Sequence, residues 1–571
     1  MAGQSLRGAS TGVAGGGDSV TGRGWGTPLE VPPQPTNTTP ARSTETSSAA
    51  RAVRVTGGVR PRPDRYSPDS LSGARKSAES RNILPGSLVA DVLVRVPCRF
   101  LLEVSELFTH RLSLAPLALF VLQLTAVSLG AASAAAQNPY DTVQRDLARA
   151  AKTFGREARG VNPLLELMGN WDDSTPARTQ ALLTTLSRDR TLSPARRAYV
   201  GYLVARGQLR LGQPAEAERA IADLGFVTDW QVIGPFDNEG RAGFSAELPP
   251  EAERMAPFDA GARYRGRERE VGWRTYPHVS ELGYVNFDAI FRPFQNTCGF
   301  ATTTVHADRA RAISLNFGAG GAMKVYWNGT EVYSDAATRS PYPERSAVTV
   351  GAHAGANRLM VKVCITEQNW GFLMRLGDAE GGVTTGLRAD ATAIPVVTAG
   401  HAPGITLPTL QGPLEALMGA LPARATEESA TVDASLSEEE RETRAKAIFD
   451  AAHFLTMSNA DDPAEHTARQ LAARAAELAP TVARLRLAAE LTDQRGEAMR
   501  FTQRAAELFP NDPESLLLQA VVRRTGLTPE DALPILDRLD ASRPRGLPVI
   551  QSKMLRAAVL LHLDMAESSR E

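Results

Sequence analysis

A change of hydrophobic period in the middle of the chain constrains the fold more than any other sequence feature. Between Trp230 and Asp378, apolar and polar residues alternate with the period of two that half-buried strands require. The alternating runs are Ala301–His306, Ala312–Phe317, Met323–Trp327, Leu359–Ile365 and Gly371–Leu376. Asn328-Gly329 follows the third run, and this dipeptide is the strongest short-range signal for a hairpin. The segment therefore predicts an antiparallel β-sandwich of about 150 residues.

Helical patterns flank this segment on both sides. From Tyr140 to Leu224, Ala- and Leu-rich stretches are separated by helix-breaking prolines. Near the other end, Ala475–Pro480 and Ala505–Pro510 are near-copies 30 residues apart, and Pro544 follows Pro510 by 34. These degenerate intervals resemble tetratricopeptide repeats, whose stacked helix pairs form a concave surface for a protein partner. A plain helical spacer is the alternative.

The β segment resembles a known accessory domain. After the Asn328-Gly329 hairpin, the pattern Gly-x-Asn-x-Leu-x-Val-x-Val begins at Gly355 and ends at Val363. This order is similar to that of the galactose-binding-like jelly roll of glycoside hydrolases, which implies a jelly-roll fold and a carbohydrate as one possible ligand. The predicted fold class is thus multidomain α plus β, with tetratricopeptide-like repeats flanking an antiparallel β-sandwich of the jelly-roll type.

A second resemblance covers more of the chain. Trp230–Gly240, read with Trp370-Gly371-Phe372 and the flanking repeats, resembles the N-terminal half of exported bacterial proteins. Those proteins continue into a domain of unknown function numbered 3857 and a transglutaminase-like domain with a catalytic Gly-Asp-Cys-Lys-Asp motif. Here Cys298 stands in Asn-Thr-Cys-Gly-Phe and Cys364 stands in a strand pattern. The resemblance implies the scaffolding half of a cysteine protease-type enzyme, as the alternative to a non-catalytic binding protein.

An apolar run at Leu112–Gly130 predicts export. A short basic flank precedes it, and the small residues Ala131–Ala136 offer Ala-x-Ala cleavage sites before Gln137. The run of 19 residues also approaches the roughly 20 that span a bilayer, so an uncleaved inner-membrane anchor is the alternative. We expect a periplasmic or extracellular protein that contacts a membrane only through this run.

These patterns divide the chain into six segments. They are a disordered segment or an extension ahead of the true start at 1–110, a signal peptide or anchor at 111–136, helical repeats at 137–226, the β-sandwich at 227–380, a linker at 381–435, and helical repeats that look truncated at 436–571.

Composition and motifs exclude several functions. With 63 basic and 64 acidic residues, the chain lacks the positive field that nucleic acids require. None of the eight histidines has zinc-site spacing, and the Gly-x-Ser-x-Gly motif of hydrolases is absent. The glycine-rich run Gly318–Lys324 leads into a strand instead of a helix, so we interpret it as a turn. The sequence predicts no catalytic residue and no cofactor apart from Ca²⁺.

Two polar loops are the candidate binding sites. Asp237, Asn238 and Glu239 offer oxygen ligands for Ca²⁺ or for a sugar hydroxyl, although such residues also form ordinary turns. The second loop ends in an aromatic residue that suits sugar stacking, whereas Trp327 is interpreted as a packing residue. This second candidate site consists of Glu367, Gln368, Asn369 and Trp370.

Cysteine usage leaves two alternatives. Cys98 precedes the predicted cleavage site, so the exported part keeps only Cys298 and Cys364. These two either form a disulfide or remain buried free thiols.

Overall fold

The computed structural model describes residues 138–367, 369–423, 425, 435–462, 466–526, 528–544, 546–563 and 565. The predicted disordered segment, the signal or anchor and its cleavage site lie outside the described residues. In the part of the chain that is described, no helix is both long and apolar enough to cross a membrane. Helices and antiparallel sheets occur together, which confirms the α plus β class.

The helices that precede the sheets begin where the sequence places its prolines. They are α1 (Pro139–Phe154), α2 (Asn162–Gly169), α3 (Pro176–Leu186), α4 (Pro194–Arg210) and α5 (Pro214–Leu224), with a 3₁₀ turn at Ala158–Val161. Each has proline at its first or second position. The N–H groups in the first turn of a helix have no partner within the helix, so a proline there costs no hydrogen bond.

The central segment forms antiparallel sheets. Its strands are β1 (Gln231–Asp237), β2 (Arg263–Arg265), β3 (Glu270–Gly272), β4 (Arg274–Thr275), β5 (Tyr284–Asn286), β6 (Thr297–Ala307), β7 (Arg311–Gly320), β8 (Ala322–Trp327), β9 (Thr330–Asp335), β10 (Ser346–Ala352), β11 (Gly355–Ile365), β12 (Gly371–Asp378) and β13 (Leu387–Asp390). A seven-stranded sheet has the order β4-β1-β6-β11-β8-β9, with β13 also paired to β6, and a four-stranded sheet has the order β10-β7-β12-β5. Strands β2 and β3 form a separate ribbon.

The predicted hairpin joins β8 to β9. Trp327 pairs with Thr330, and Asn328 and Gly329 have φ values of 46° and 80°. A type I′ turn requires positive φ at both central residues, which explains this dipeptide. Gly321, with φ of 105°, connects β7 in one sheet to β8 in the other. The interpretation of Gly318–Lys324 as a turn is therefore correct only for Gly321, because the rest of this run belongs to the two strands.

Side chains of both sheets share one hydrophobic core. Val325 and Val361 of the larger sheet belong to the same buried cluster as Leu315 and Phe372 of the smaller sheet. Three tryptophans in this cluster are fully buried, and these are Trp230, Trp327 and Trp370. The cluster indicates that the two sheets pack against each other through their apolar faces.

A long connection between β1 and β4 covers other side chains of the larger sheet. It contains a 3₁₀ turn at Glu239–Arg241 and the short helices α6 (Ala242–Ser245) and α7 (Pro249–Ala252), whereas α8 (Phe287–Ile290) follows β5. Phe244 of α6 packs in a second core with Phe300 and Tyr326. We call the segment Ala242–Ala252 the cover.

The segment 381–435 is more than the linker that the sequence predicts, because it supplies β13 and α9 (Pro413–Gly419). The later helices are α10 (Glu438–Met457), α11 (Thr467–Leu478), α12 (Val482–Leu491), α13 (Arg495–Leu508), α14 (Pro513–Arg524), α15 (Leu533–Ala541) and α16 (Leu547–His562), with a 3₁₀ turn at Pro529–Ala532. Leu165 of α2 and Ile448 of α10 belong to one buried cluster, so the two helical flanks share a core.

Candidate binding site

Asn238, one of the predicted ligands, holds the loop after β1 in place. It is 2% exposed, its Nδ2 donates to the carbonyl of Ile365 at 3.1 Å, and its Oδ1 accepts from the backbone N–H of Phe244 at 3.2 Å. Both polar groups of the side chain are therefore used within the protein. This corrects the expectation that the Asn238 side chain binds Ca²⁺ or a sugar hydroxyl.

Asp237 and Glu239 flank Asn238 and have a protein partner. Both carboxylates are exposed and both pair with the guanidinium of Arg267, at 3.1 and 3.0 Å. Within the described residues, no group of three or more metal-binding side chains is found. In the structure both carboxylates therefore have the guanidinium of Arg267 as their partner, and Ca²⁺ binding stays a prediction.

The burial of Trp370 corrects the prediction of a sugar-stacking aromatic in the second loop. Trp370 is 0% exposed, its Nε1 donates to the carbonyl of Val363 at 3.0 Å, and its ring packs edge-on against Phe287. It fills the core between the sheets, so its face is not available to a ligand. Glu367 and Asn369 are exposed beside it.

The first of the two predicted loops nevertheless borders a cleft of about 250 Å³. Asn238 comes from that loop, and Thr366 immediately precedes the second predicted loop. Phe244 of the cover supplies an apolar wall. The polar groups come from residues that include Asn238, Arg241, Ser245, Thr338 and Thr366.

Arg241 fixes the edge of the cleft. Its Nη2 donates to the carbonyl of Ala336, to Oγ1 of Thr338 and to Oδ2 of Asp462, at 3.0, 2.8 and 3.1 Å. The same Asp462 oxygen accepts from the backbone N–H of Thr338 at 2.8 Å. Because Asp462 follows α10, these bonds join the loops of the sheets to the C-terminal helices.

A disulfide forms part of the cleft wall. Cys298 and Cys364 are directly opposite residues of β6 and β11, and the structure joins their sulfur atoms. Both residues are at most 1% exposed, and Cys364 lines the cleft. A Cβ atom at Gly243 would lie 2.9 Å from Sγ of Cys298, so only glycine lets α6 approach the disulfide this closely.

A buried ion pair anchors the cover to the larger sheet. Nζ of Lys362, which is 0% exposed, donates to the carbonyls of Phe244 and Ala246 at 3.1 and 2.8 Å and to Glu251 at 2.6 Å. Burial raises the pKa of Glu251, but hydrogen bonds from Lys362 and Tyr326 outweigh burial and hold that pKa below its ordinary value. Burial lowers the pKa of Lys362, and the hydrogen bond and charge of Glu251 act against that shift. All three donors of the ammonium group are used.

The sequence did not single out Arg241, Ser245, Thr338 or Thr366 as site residues. The one available signal is the glycine bracket around Arg241, since Gly240 and Gly243 allow the tight path between β1 and α6.

Comparisons with known proteins do not assign the chain to a family. No family model matches it, and no curated protein matches it in sequence. Several solved structures, among them the following three, match parts of it. A beta-glucosidase from Kluyveromyces marxianus matches at 12% identity over 20% of this chain and 15% of that chain, with a TM-score of 0.16. The same enzyme in complex with glucose matches at 9% identity over 44% of this chain and 23% of that chain, with a TM-score of 0.17.

The third structure is a GH31 alpha-xylosidase from Xanthomonas citri, at 14% identity over 29% of this chain and 18% of that chain, with a TM-score of 0.17. The matched regions thus span less than a quarter of each of these enzymes. TM-scores this low carry no argument about fold or function.

Proposed function

We propose that this is an exported, non-catalytic binding protein whose cleft beside Arg241 holds a carbohydrate and whose helices hold a protein partner. In this proposal the helices are tetratricopeptide-like repeats, and the two sheets are a jelly roll of the galactose-binding-like kind. The observation that carries the proposal is the mixed chemistry of the cleft, where neutral polar groups and one guanidinium surround an apolar wall. Sugars present alternating hydroxyl groups and C–H surfaces, which such a lining complements.

The groups around the cleft suit binding better than proton transfer. Ser245, Thr338 and Thr366 offer hydroxyls, and Arg241 offers donors beyond the Nη2 that its internal bonds use. Hydroxyls, an amide, a guanidinium and a disulfide sulfur do not exchange protons near neutral pH as general acids and bases do. The cleft thus supports recognition of a neutral polar molecule.

A glycan array probed with the full chain tests the carbohydrate proposal. Ala336→Trp fills the cleft from an exposed position and leaves intact the carbonyl that accepts from Arg241. Ala215→Trp, on an exposed position of α5, is the matched control. We expect binding by the wild type and by Ala215→Trp, and its loss in Ala336→Trp. If the intact protein binds no glycan, the carbohydrate part of the proposal is wrong.

The protein-partner part of the proposal rests on α10–α16, which pack one after another along the chain. Crosslinking in cells of the source organism, followed by mass spectrometry, tests this part. We expect crosslinks from these helices to a partner. Crosslinks confined to the sheets would contradict the assignment of the partner surface to the helices.

A further inference from the structure

Arg196 is a buried cation for which the described part of the chain supplies no ion-pair partner. It lies on α4, is 9% exposed, and its solvent-shielded Nε has no hydrogen-bond acceptor. Among the described residues, no carboxylate forms an ion pair with it. One helical turn later, the hydroxyl of Tyr199 contacts the hydroxyl of Tyr342, so this face of α4 packs against the loop between β9 and β10.

A carboxylate that acts on Arg196 from the neighbouring loop is already engaged. Glu344, on the same loop, acts on Arg196 electrostatically without pairing with it. Both oxygens of Glu344 accept from Arg375, which is 0% exposed and also donates to the carbonyl of Gly381 at 2.7 Å. Glu344 therefore pairs with Arg375 and forms no ion pair with Arg196.

A buried guanidinium is stable only when acceptors replace the water that it loses, and it does not deprotonate to avoid the cost. Its planar fork matches the geometry of carboxylate and phosphate oxygens. We propose that the interface between α4 and the sheets binds a small oxyanion, a carboxylate or a phosphate, at Arg196. This site is separate from the cleft beside Arg241 and does not depend on the carbohydrate proposal.

The test compares Arg196, which forms no ion pair with a described residue, with Arg375, which pairs with Glu344. Arg196→Met and Arg375→Met each replace a buried guanidinium by an apolar side chain. If Arg196 has no protein partner, Arg196→Met unfolds at the same temperature as the wild type or higher when oxyanions are absent, because removing an unpaired buried charge relieves its desolvation. Arg375→Met leaves Glu344 unpaired, so its midpoint falls.

In the second part of the test, inorganic phosphate or acetate is titrated into the full chain at constant ionic strength. We expect one of them to raise the unfolding midpoint of the wild type with a saturable dependence on concentration. In Arg196→Met the apparent affinity falls by about tenfold or more, as expected for the loss of a charge-assisted hydrogen bond. Arg196→Lys keeps the charge without the fork and is expected to fall between the two.

Salts that are excluded from protein surfaces stabilise folded proteins generally, so the difference between the wild type and Arg196→Met is the measured quantity. A response to phosphate alone assigns the ligand group as a phosphate, and a response to acetate alone assigns a carboxylate. The proposal is overturned if both proteins respond equally, if neither responds, or if Arg196→Met loses stability or fails to fold as Arg375→Met does.

Discussion

Removal of the Cys298–Cys364 disulfide has a consequence that can be worked out from the structure. The bond closes a loop across a sequence separation of 66 residues. In the chain-entropy model, a loop of this length destabilises the unfolded state by about 4 kcal/mol. The β6–β11 ladder continues on one side of the two cysteines and is expected to persist without the bond. We therefore expect the sheets of the reduced protein to remain folded but to unfold at a lower urea concentration.

Urea unfolding followed by tryptophan fluorescence measures this effect, because Trp230, Trp327 and Trp370 are buried in the core between the sheets. The double variant Cys298→Ala/Cys364→Ala is the control. Reductant is expected to lower the midpoint of the wild type to that of the double variant and to leave the double variant unchanged. Equal midpoints for the oxidised and reduced wild type would refute the reasoning, since the loop would then contribute nothing.

Three further predictions concern buried groups. Lys362→Met should cost about 3–5 kcal/mol, and adding Glu251→Leu should restore much of it, as urea unfolding would show. Burial lowers the pKa of His453 to about 4, although Oε1 of Glu166 lies 3.4 Å away. The unfolded state then binds the proton more tightly, so stability falls by up to about 3 kcal/mol from pH 6.5 to pH 4, and His453→Phe should remove this slope from a series of unfolding curves. Trp370→Ala should cost about 3–5 kcal/mol and leave glycan affinity unchanged in a titration of the folded protein. A weaker glycan affinity of Trp370→Ala would show that Trp370 belongs to the binding site after all.

The features that the sequence predicts correctly depend on neighbouring residues. The β8–β9 hairpin follows from Asn328-Gly329, because positive φ values at two adjacent positions are a local requirement. The predicted breaks between the helical stretches are local for a similar reason, since proline fixes its own φ and lacks an N–H; α3 begins at Pro176 and α5 at Pro214. The alternating runs locate the strands for the same kind of reason, through the period of two along each strand.

The site residues depend on contacts between distant parts of the chain, which local patterns do not contain. The amide of Asn238 donates to the carbonyl of Ile365, 127 residues later, and Arg241 donates to Asp462, 221 residues later. Trp370 ends a polar loop, and the sequence does not state whether its ring turns outward or into the core. The sequence therefore located one loop that borders the cleft, but it did not foresee that the side chains of Asn238 and Trp370 are buried and bonded within the protein.

The core shared by the two helical flanks affects when the chain can finish folding. Nδ2 of Asn162 donates to the carbonyl of Asp450 at 3.0 Å, across 288 residues. At typical synthesis rates, the first of these residues leaves the ribosome roughly 15–60 s before the second. During that interval α2 lacks its partner surface on α10, whereas each sheet strand has its neighbours nearer in sequence. Contacts between residues that are closer in sequence form sooner, so we expect the sheets to fold first. The two helical flanks pack against each other last, after α10 has been synthesised.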